Sequence, residues 1–266
     1  MQKLVTTVPL PSSNPAGGPS PAGIYDYLLH GQNHSPADRE AAEKALALAP
    51  ETRFAVLENR AFLQRAVRYV AAHGVRQYID IGSGFPTGGP VHEVAGTIVA
   101  EPHVIYVDYD PAVTELSRDL LRTPNVATVA HDLRRPWDII DDPAVARLID
   151  WSEPVAILMV AILHFVTHDE NPAEIIATLR DHMSPGSYLV LSHASQGENP
   201  DGAEEAARAW NSARSAITLR APREIEDLFS GFELVPPGLV TTTEWGTDEP
   251  APTGQGLILA AVGQVL

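Results

Sequence analysis

The chain has 266 residues, no cysteine, and 18 Lys+Arg against 34 Asp+Glu, a formal net charge of −16 at pH 7. That length fits one large domain, or a domain with a small extension, and can bury a core without disulfides or metal. The missing cysteines exclude a disulfide framework, a thiolate metal site and a cysteine nucleophile, and they suit a reducing compartment. The acidic field repels phosphate backbones and anionic membranes, so a nucleic-acid substrate and a membrane surface are both disfavoured, whereas cationic groups are drawn in. With no apolar run long enough for a signal peptide or a membrane span, the expectation is a cytoplasmic protein.

In chain order, residues 1–22 hold five prolines with Ser, Gly and Asn and predict a disordered tail. Residues 23–73 predict a helical N-terminal cap: Ser35-Pro36 is a start signal, Ala41, Ala45, Leu46 and Leu48 mark one helix, and Phe54, Leu57, Phe62, Val67 and Val70 another. From 74 to 266 the pattern becomes parallel βα units. Strands are predicted at 76–81, 103–108, 126–130, 154–161 and 187–193, with helices at about 89–100, 111–122, 141–149 and 171–182. This is the pattern of a doubly wound, mostly parallel α/β sheet. Gly231 to Val235 and Gly256 to Ala261 then read as two strands with no helix between them, an antiparallel hairpin on the parallel sheet.

The sharpest motif runs from Tyr78 through Asp80, Gly82, Ser83 and Gly84 to Thr87, a strand entering a tight glycine turn. Gly82 and Gly84 permit backbone angles and a close ligand approach that a Cβ would block. A pyrophosphate site would want a third glycine where Thr87 stands, and Asp80 opposes such an anion but suits an ammonium. The plainer alternative is a βα turn without a ligand. Asp108 ends the second strand, where a carboxylate accepts from both ribose hydroxyls, while Asp110-Pro111 reads as a helix cap. Asp132 follows the third strand, placed to accept from an adenine amine with Leu133 flanking the ring; alone, it also reads as a solvated loop acid. The apolar fourth strand ends at Ala161 and delivers His164 and Phe165 to the same crevice. His164 is the candidate general base, with a structural histidine as the alternative. Tyr109 and His131 complete the expected surroundings of the ligand. His164 and His168 stand at metal-ligand spacing, but without a third ligand or an HEXXH glutamate no metal site is expected. Nor does Gly82-Ser83-Gly84 match a hydrolase nucleophile elbow.

Ile24 to Gly31 (with its YDYLL run), Asn59 to Leu63, the GSGFPT turn, His92-Glu93, Val107 to Pro111, Leu163 to Phe165 and Gly186 to His193 together resemble an actinobacterial S-adenosylmethionine-dependent methyltransferase family long labelled as a domain of unknown function. The resemblance extends from about residue 20 to the C-terminus, with His30 departing from a YDYLLGG-like run. It implies the class I Rossmann-like fold, a seven-stranded sheet, and S-adenosylmethionine as cofactor. It also implies that the N-terminal helices cover the crevice, making Tyr25, Tyr27, Asn33 and Arg60 candidates for cofactor or acceptor contacts. Amphipathic packing for the tyrosines and a surface ion pair for Arg60 remain alternatives. The expected activity is methyl transfer to a small-molecule acceptor; the competing readings are a non-catalytic S-adenosylmethionine sensor and an NAD-dependent oxidoreductase. The acceptor pocket is expected from the N-terminal helices and the 195–222 segment, where Gln196, Glu198, Trp210 and Arg214 carry no recognisable code. Oligomeric state is left open.

Overall fold

The computed structural model describes residues 18–196, 207, 216–247 and 258–266. Helices α1 (Pro21–Leu28), α2 (Pro36–Leu48) and α3 (Thr52–Ala72) come first. The Ser20 side chain caps α1, whose first turn therefore begins two residues inside the segment expected as a tail; residues 1–17 of that segment lie outside the described ones. Ser35 and Asp38 form a reciprocal capping box on α2, with Pro36 at the first turn, as the start signal predicted.

The sheet follows as β1 (Gln77–Ile81), β2 (His103–Asp108), β3 (Val126–Ala130), β4 (Val155–Val160) and β5 (Tyr188–Ala194). Helices α4 (Val91–Gly96), α5 (Pro111–Leu120), α6 (Pro136–Ile140), α7 (Pro143–Leu148) and α8 (Pro172–Arg180) make the crossovers. Asp110 caps α5, accepting from the Ala112 N–H at 2.9 Å. The helix expected at 141–149 is α7, and a further short helix, α6, precedes it; Asp142 and Pro143 separate the two by capping and starting α7. A further helix, α9 (Pro222–Asp227), precedes β6 (Glu233–Leu234), β7 (Val240–Thr241) and β8 (Ile258–Gln264).

The strand order is β3-β2-β1-β4-β5-β8-β6, with β7 pairing β8 off this path. The first five strands run parallel, and β8 lies antiparallel to β5 and β6. Seven strands thus lie along this path, the number expected, and the two-residue β7 makes the eighth. The late hairpin is present, but its second strand extends to Gln264, beyond the Gly256 to Ala261 expected; Gly256 and Leu257 lie outside the described residues. Apolar cores fill both faces: Ile79, Ile105, Ile157 and Leu189 pack under α6 to α8, and Tyr78, Val104, Leu158 and Val190 pack under α3 and α4. Strands buried on both faces explain the continuous apolar run of β4. Helices α1 and α2 form a small cluster of their own around Ile24, Leu28 and Val56. The reversal of strand order between β1 and β4 opens a crevice at the carboxyl ends of the strands, the place where such sheets bind ligands.

Candidate active site

A cavity occupies that crevice, with about 1450 Å³ of space free of protein atoms, open solvent at its mouth included. Its floor is the glycine turn after β1, Asp108 to Asp110 after β2, and Val160 to Phe165 after β4; α1 and the first half of α3 cover it.

The turn is tied back to β2 by the Gly82 and Ser83 N–H groups, which both donate to the Val107 carbonyl at 2.8 and 3.1 Å. Gly82 has φ +72°, and a Cβ there would overlap the Ile162 side chain, so this glycine is required by its protein neighbour as well as by its backbone. Gly84, at φ +60°, has nothing within 4 Å of its absent Cβ, which leaves its backbone open to the cavity.

Asp80 and Asp108 are both buried. Desolvation pushes the Asp80 carboxyl up to about 7, offset in part by Arg60 and reinforced by Asp108. Desolvation also raises Asp108, to about 6, against backbone N–H groups that stabilise its charge. Two of those bonds are from Gly84 N–H and Asp110 N–H, each at 2.9 Å. No hydrogen bond offsets the desolvation of the Asp80 carboxyl, and the buried Arg60 Nε and Ser83 Oγ have no partner among the described residues. Unpaired buried polar groups are costly, and here two converge on one cavity beside the desolvated Asp80. Arg60 lies over the Tyr25 ring, 5.7 Å from its centroid, rather than in a surface ion pair.

The Tyr25 hydroxyl belongs to a buried chain of hydrogen bonds that sequence reading did not anticipate. Ala161 N–H donates to Ser192 Oγ at 2.9 Å, Ser192 Oγ donates to Asn59 Oδ1 at 2.6 Å, and Asn59 Nδ2 donates to the Tyr25 hydroxyl at 2.8 Å. The chain joins β4 and β5 to α3 and α1 and holds Ala161 in the left-handed region, at φ +55°. For a residue with a Cβ that costs about 1–2 kcal/mol. It redirects the chain into the turn that carries His164. A second tie is the buried Asp26, which accepts from Asn33 N–H at 2.8 Å, Asn33 Nδ2 at 3.2 Å and the Thr87 hydroxyl. A polar residue in a YDYLL run is the signal that could have pointed to it: Asp26 breaks the apolar face of α1 and had to find donors.

His164 lines the cavity and is buried. Burial, then His193 and Arg220, hold it well below the ordinary histidine range, so it is neutral at pH 7. Ala194 N–H approaches Nδ1 at 3.5 Å, a long contact that favours the tautomer with the ring proton on Nε2. A neutral imidazole whose Nδ1 is taken is a hydrogen-bond donor more readily than the general base expected of it. The buried Arg220 fixes this turn, donating to the Leu163 and Val166 carbonyls at 3.1 and 2.8 Å and to His193 Nε2 at 2.6 Å.

Of the residues expected around the cofactor, the cavity brings together Tyr25, Arg60, Asp80, Gly82, Ser83, Gly84, Asp108, Tyr109, Ala161, His164 and Phe165. It does not line itself with Tyr27, Asn33, Thr87, His131, Asp132 or Leu133. Tyr27 packs between Arg39 and Arg53 and bonds Glu43 at 3.1 Å. Asn33 and Thr87 serve Asp26. His131 pairs with Asp142 at 2.7 Å, and Leu133 is in the sheet core. Asp132 is held by Arg134, which also bridges to Glu170, and those bonds keep its carboxyl below the usual range despite some desolvation. His168 faces Glu224, 3.3 Å away. Of the 195–222 segment, Glu198, Trp210 and Arg214 lie outside the described residues, while Ser195, Ala207, Ile217 and Leu219 line the cavity.

The family model described as S-adenosyl methyltransferase matches residues 11–265. The chain belongs to the S-adenosyl methyltransferase family. As a member it uses S-adenosylmethionine and is an S-adenosylmethionine-dependent methyltransferase, which removes the oxidoreductase alternative. A crystal structure of a candidate methyltransferase from Thermobifida fusca YX is 36% identical, with TM-score 0.91 over 97% of this chain and 99% of that one. A DUF574 family protein from Streptomyces avermitilis is 34% identical, with TM-score 0.89 over 94% and 98%. A candidate S-adenosyl-L-methionine-dependent methyltransferase of Bacillus subtilis, YktD, is 24% identical over 144 residues, a stretch covering 53% of this chain and 45% of that relative. Among the described residues no helix is long and apolar enough to cross a membrane.

The donor set fits the cofactor. S-adenosylmethionine has an α-ammonium, an α-carboxylate and a ribose diol, and the cavity presents an unpaired carboxyl, an unpaired guanidinium nitrogen and a second carboxyl with free lone pairs.

Proposed function

We propose that this methyltransferase acts on a small-molecule acceptor bound in the same cavity as the cofactor. The observation that carries the reading is the pair of desolvated carboxylates, Asp80 and Asp108, facing one covered cavity together with the orphaned Arg60 Nε. In this reading Asp108 accepts from the ribose hydroxyls, and Arg60 and Asp80 hold the carboxylate and ammonium of the methionine end. Gly84 allows the close approach, while Tyr25, Tyr109, Ala161 and Phe165 shape the walls. When bound, S-adenosylmethionine supplies a methyl group already activated on a sulfonium. The protein's work is then to align the acceptor and exclude water, effects that reach about 7–11 kcal/mol in well-aligned systems. His164 orients the acceptor as a hydrogen-bond donor. Tyr27, Asn33, Thr87, His131, Asp132 and Leu133 act at a distance, through the packing and pairing described above. A small acceptor, in place of a nucleic acid, is supported by the net charge of −16, and by helices α1 and α3 covering the crevice.

Calorimetric titration with S-adenosylmethionine, S-adenosylhomocysteine and NAD, repeated on Asp108→Ala, tests the site. The expected result is binding of the first two only, lost or strongly weakened in the variant; unchanged binding would remove Asp108 from the site. Incubating the protein with methyl-labelled cofactor and separate small-molecule, RNA and protein fractions tests the acceptor. Label is expected in the small-molecule fraction, and label in none would favour a cofactor sensor.

A further inference from the structure

The ionisable groups of the cavity are unevenly placed. Arg60, Asp80 and Asp108 gather where β1, β2 and the middle of α3 meet, and Asp110 beside them is occupied as the cap of α5. Elsewhere the wall is Leu29 of α1, Val56 of α3, Ile162 and Phe165 after β4, Leu219 and Ile258. Asp26 also lines it, but Asn33 and Thr87 occupy its carboxylate, with His34 Nδ1 3.2 Å away. His164 is neutral and offers a donor. Among the described residues, this part of the wall therefore holds no free cation for an anionic ligand and no free carboxylate for a cationic one. An ion brought here would lose its hydration without a partner, whereas apolar surface would gain by leaving water.

We infer that the wall running from Leu29 to Leu219 beside His164 is the acceptor subsite, and that it takes an uncharged, mainly apolar molecule bearing a hydroxyl or an aromatic amine as its one strongly polar group. The inference rests on the methyl-transfer reading above. It separates such acceptors from carboxylic acids, phosphorylated metabolites and amino acids. His164 Nε2–H and the ring edge of Phe165, whose centroid is 4.4 Å from that of His164, supply the polar point and the aromatic contact.

The test uses the full chain saturated with S-adenosylhomocysteine and titrated with ligands sharing one ring: naphthol, naphthoate, naphthyl phosphate and naphthylmethylammonium. Naphthol is expected to bind at least about tenfold tighter than any of the three ions. Equal affinities, a reversed order, no binding of any at millimolar concentration, or displacement of naphthol by S-adenosylhomocysteine would overturn the proposal. Leu219→Lys should raise naphthoate affinity about tenfold relative to naphthol while S-adenosylhomocysteine binding is unchanged. If cofactor binding is intact and naphthoate gains nothing, the wall is not the subsite. Failure of S-adenosylhomocysteine to bind the unmodified chain would instead strike the underlying reading.

Discussion

Asp80, Asp108 and Asp132 occupy equivalent places along the chain, each at or just past the end of one of three successive strands, yet the fold makes two kinds of residue of them. Asp80 and Asp108 are buried under the helical cap and kept toward neutrality by desolvation. Asp132 does not line the cavity; against some desolvation Arg134, two residues on, takes its carboxylate and holds its pKa low. Position on a strand end supplies the carboxylate; what covers that end decides whether its charge is available to a ligand. In the proposed reading the first two acids are costly to the empty protein and useful to the filled one, whereas the third is already satisfied by its own neighbour.

Breaking the comparison at its strongest point, Asp108→Asn should weaken S-adenosylhomocysteine binding by about 30- to 150-fold in calorimetry, the equivalent of about 2–3 kcal/mol for hydrogen bonds to a charged group. Asp80→Asn should cost about tenfold at pH 8, because an amide keeps the shape but not the charge. The same variant should stabilise the empty protein. With the folded pKa raised to about 7, the contribution of Asp80 to stability is fully present below about pH 4 and lost as pH rises through 7, and asparagine escapes that loss. The gain at pH 8 is on the order of 1–3 kcal/mol, moderated by the water that reaches the cavity. Thermal melts of the ligand-free protein should show a rise of several degrees, and an unchanged or lower Tm would contradict the desolvated state of Asp80. A pH series sharpens the contrast: affinity for S-adenosylhomocysteine should fall several-fold from pH 8 to pH 6 in the unmodified chain and much less in Asp80→Asn. Smallest of all, Asp132→Ala should change affinity less than about threefold, since its bonds run to Arg134 and not to the cavity. A larger loss would place the adenine end of the cofactor against β3.

These differences show where the sequence was sufficient. The strand-turn-helix after Tyr78, the Asp110-Pro111 cap, the Ser35-Pro36 start and the late antiparallel strands were all legible, because local hydrogen bonding and apolar periodicity determine them. The fate of Asp132 was not, since a solvated acid and a ligand-binding acid share one local pattern. Asn59 read only as part of a family motif, although its amide is completely buried and joins the sheet to Tyr25. Thr87 and Asn33, taken for ligand contacts, turn out to satisfy Asp26. In each case the deciding partner lies far along the chain, 133 residues away for the Ser192 to Asn59 bond and 61 for Thr87 to Asp26. The short helix α6 escaped the sequence for a local reason: it is only five residues long and is cut off from α7 by the punctuation of Asp142-Pro143.

The contact between Gly82 and Ile162 carries a lesson about inheritance. The space a methyl group would need at Gly82 is already filled by a side chain from the loop after β4, so the two positions share one volume between them. A lineage could enlarge the first only after shrinking the second, and even then the left-handed backbone at Gly82 would penalise the exchange. The turn that faces the cavity and the turn that presents His164 are thus not free to change apart: two loops with β2, β3 and β4 between them along the chain, but on neighbouring strands of the sheet, are constrained as a single piece.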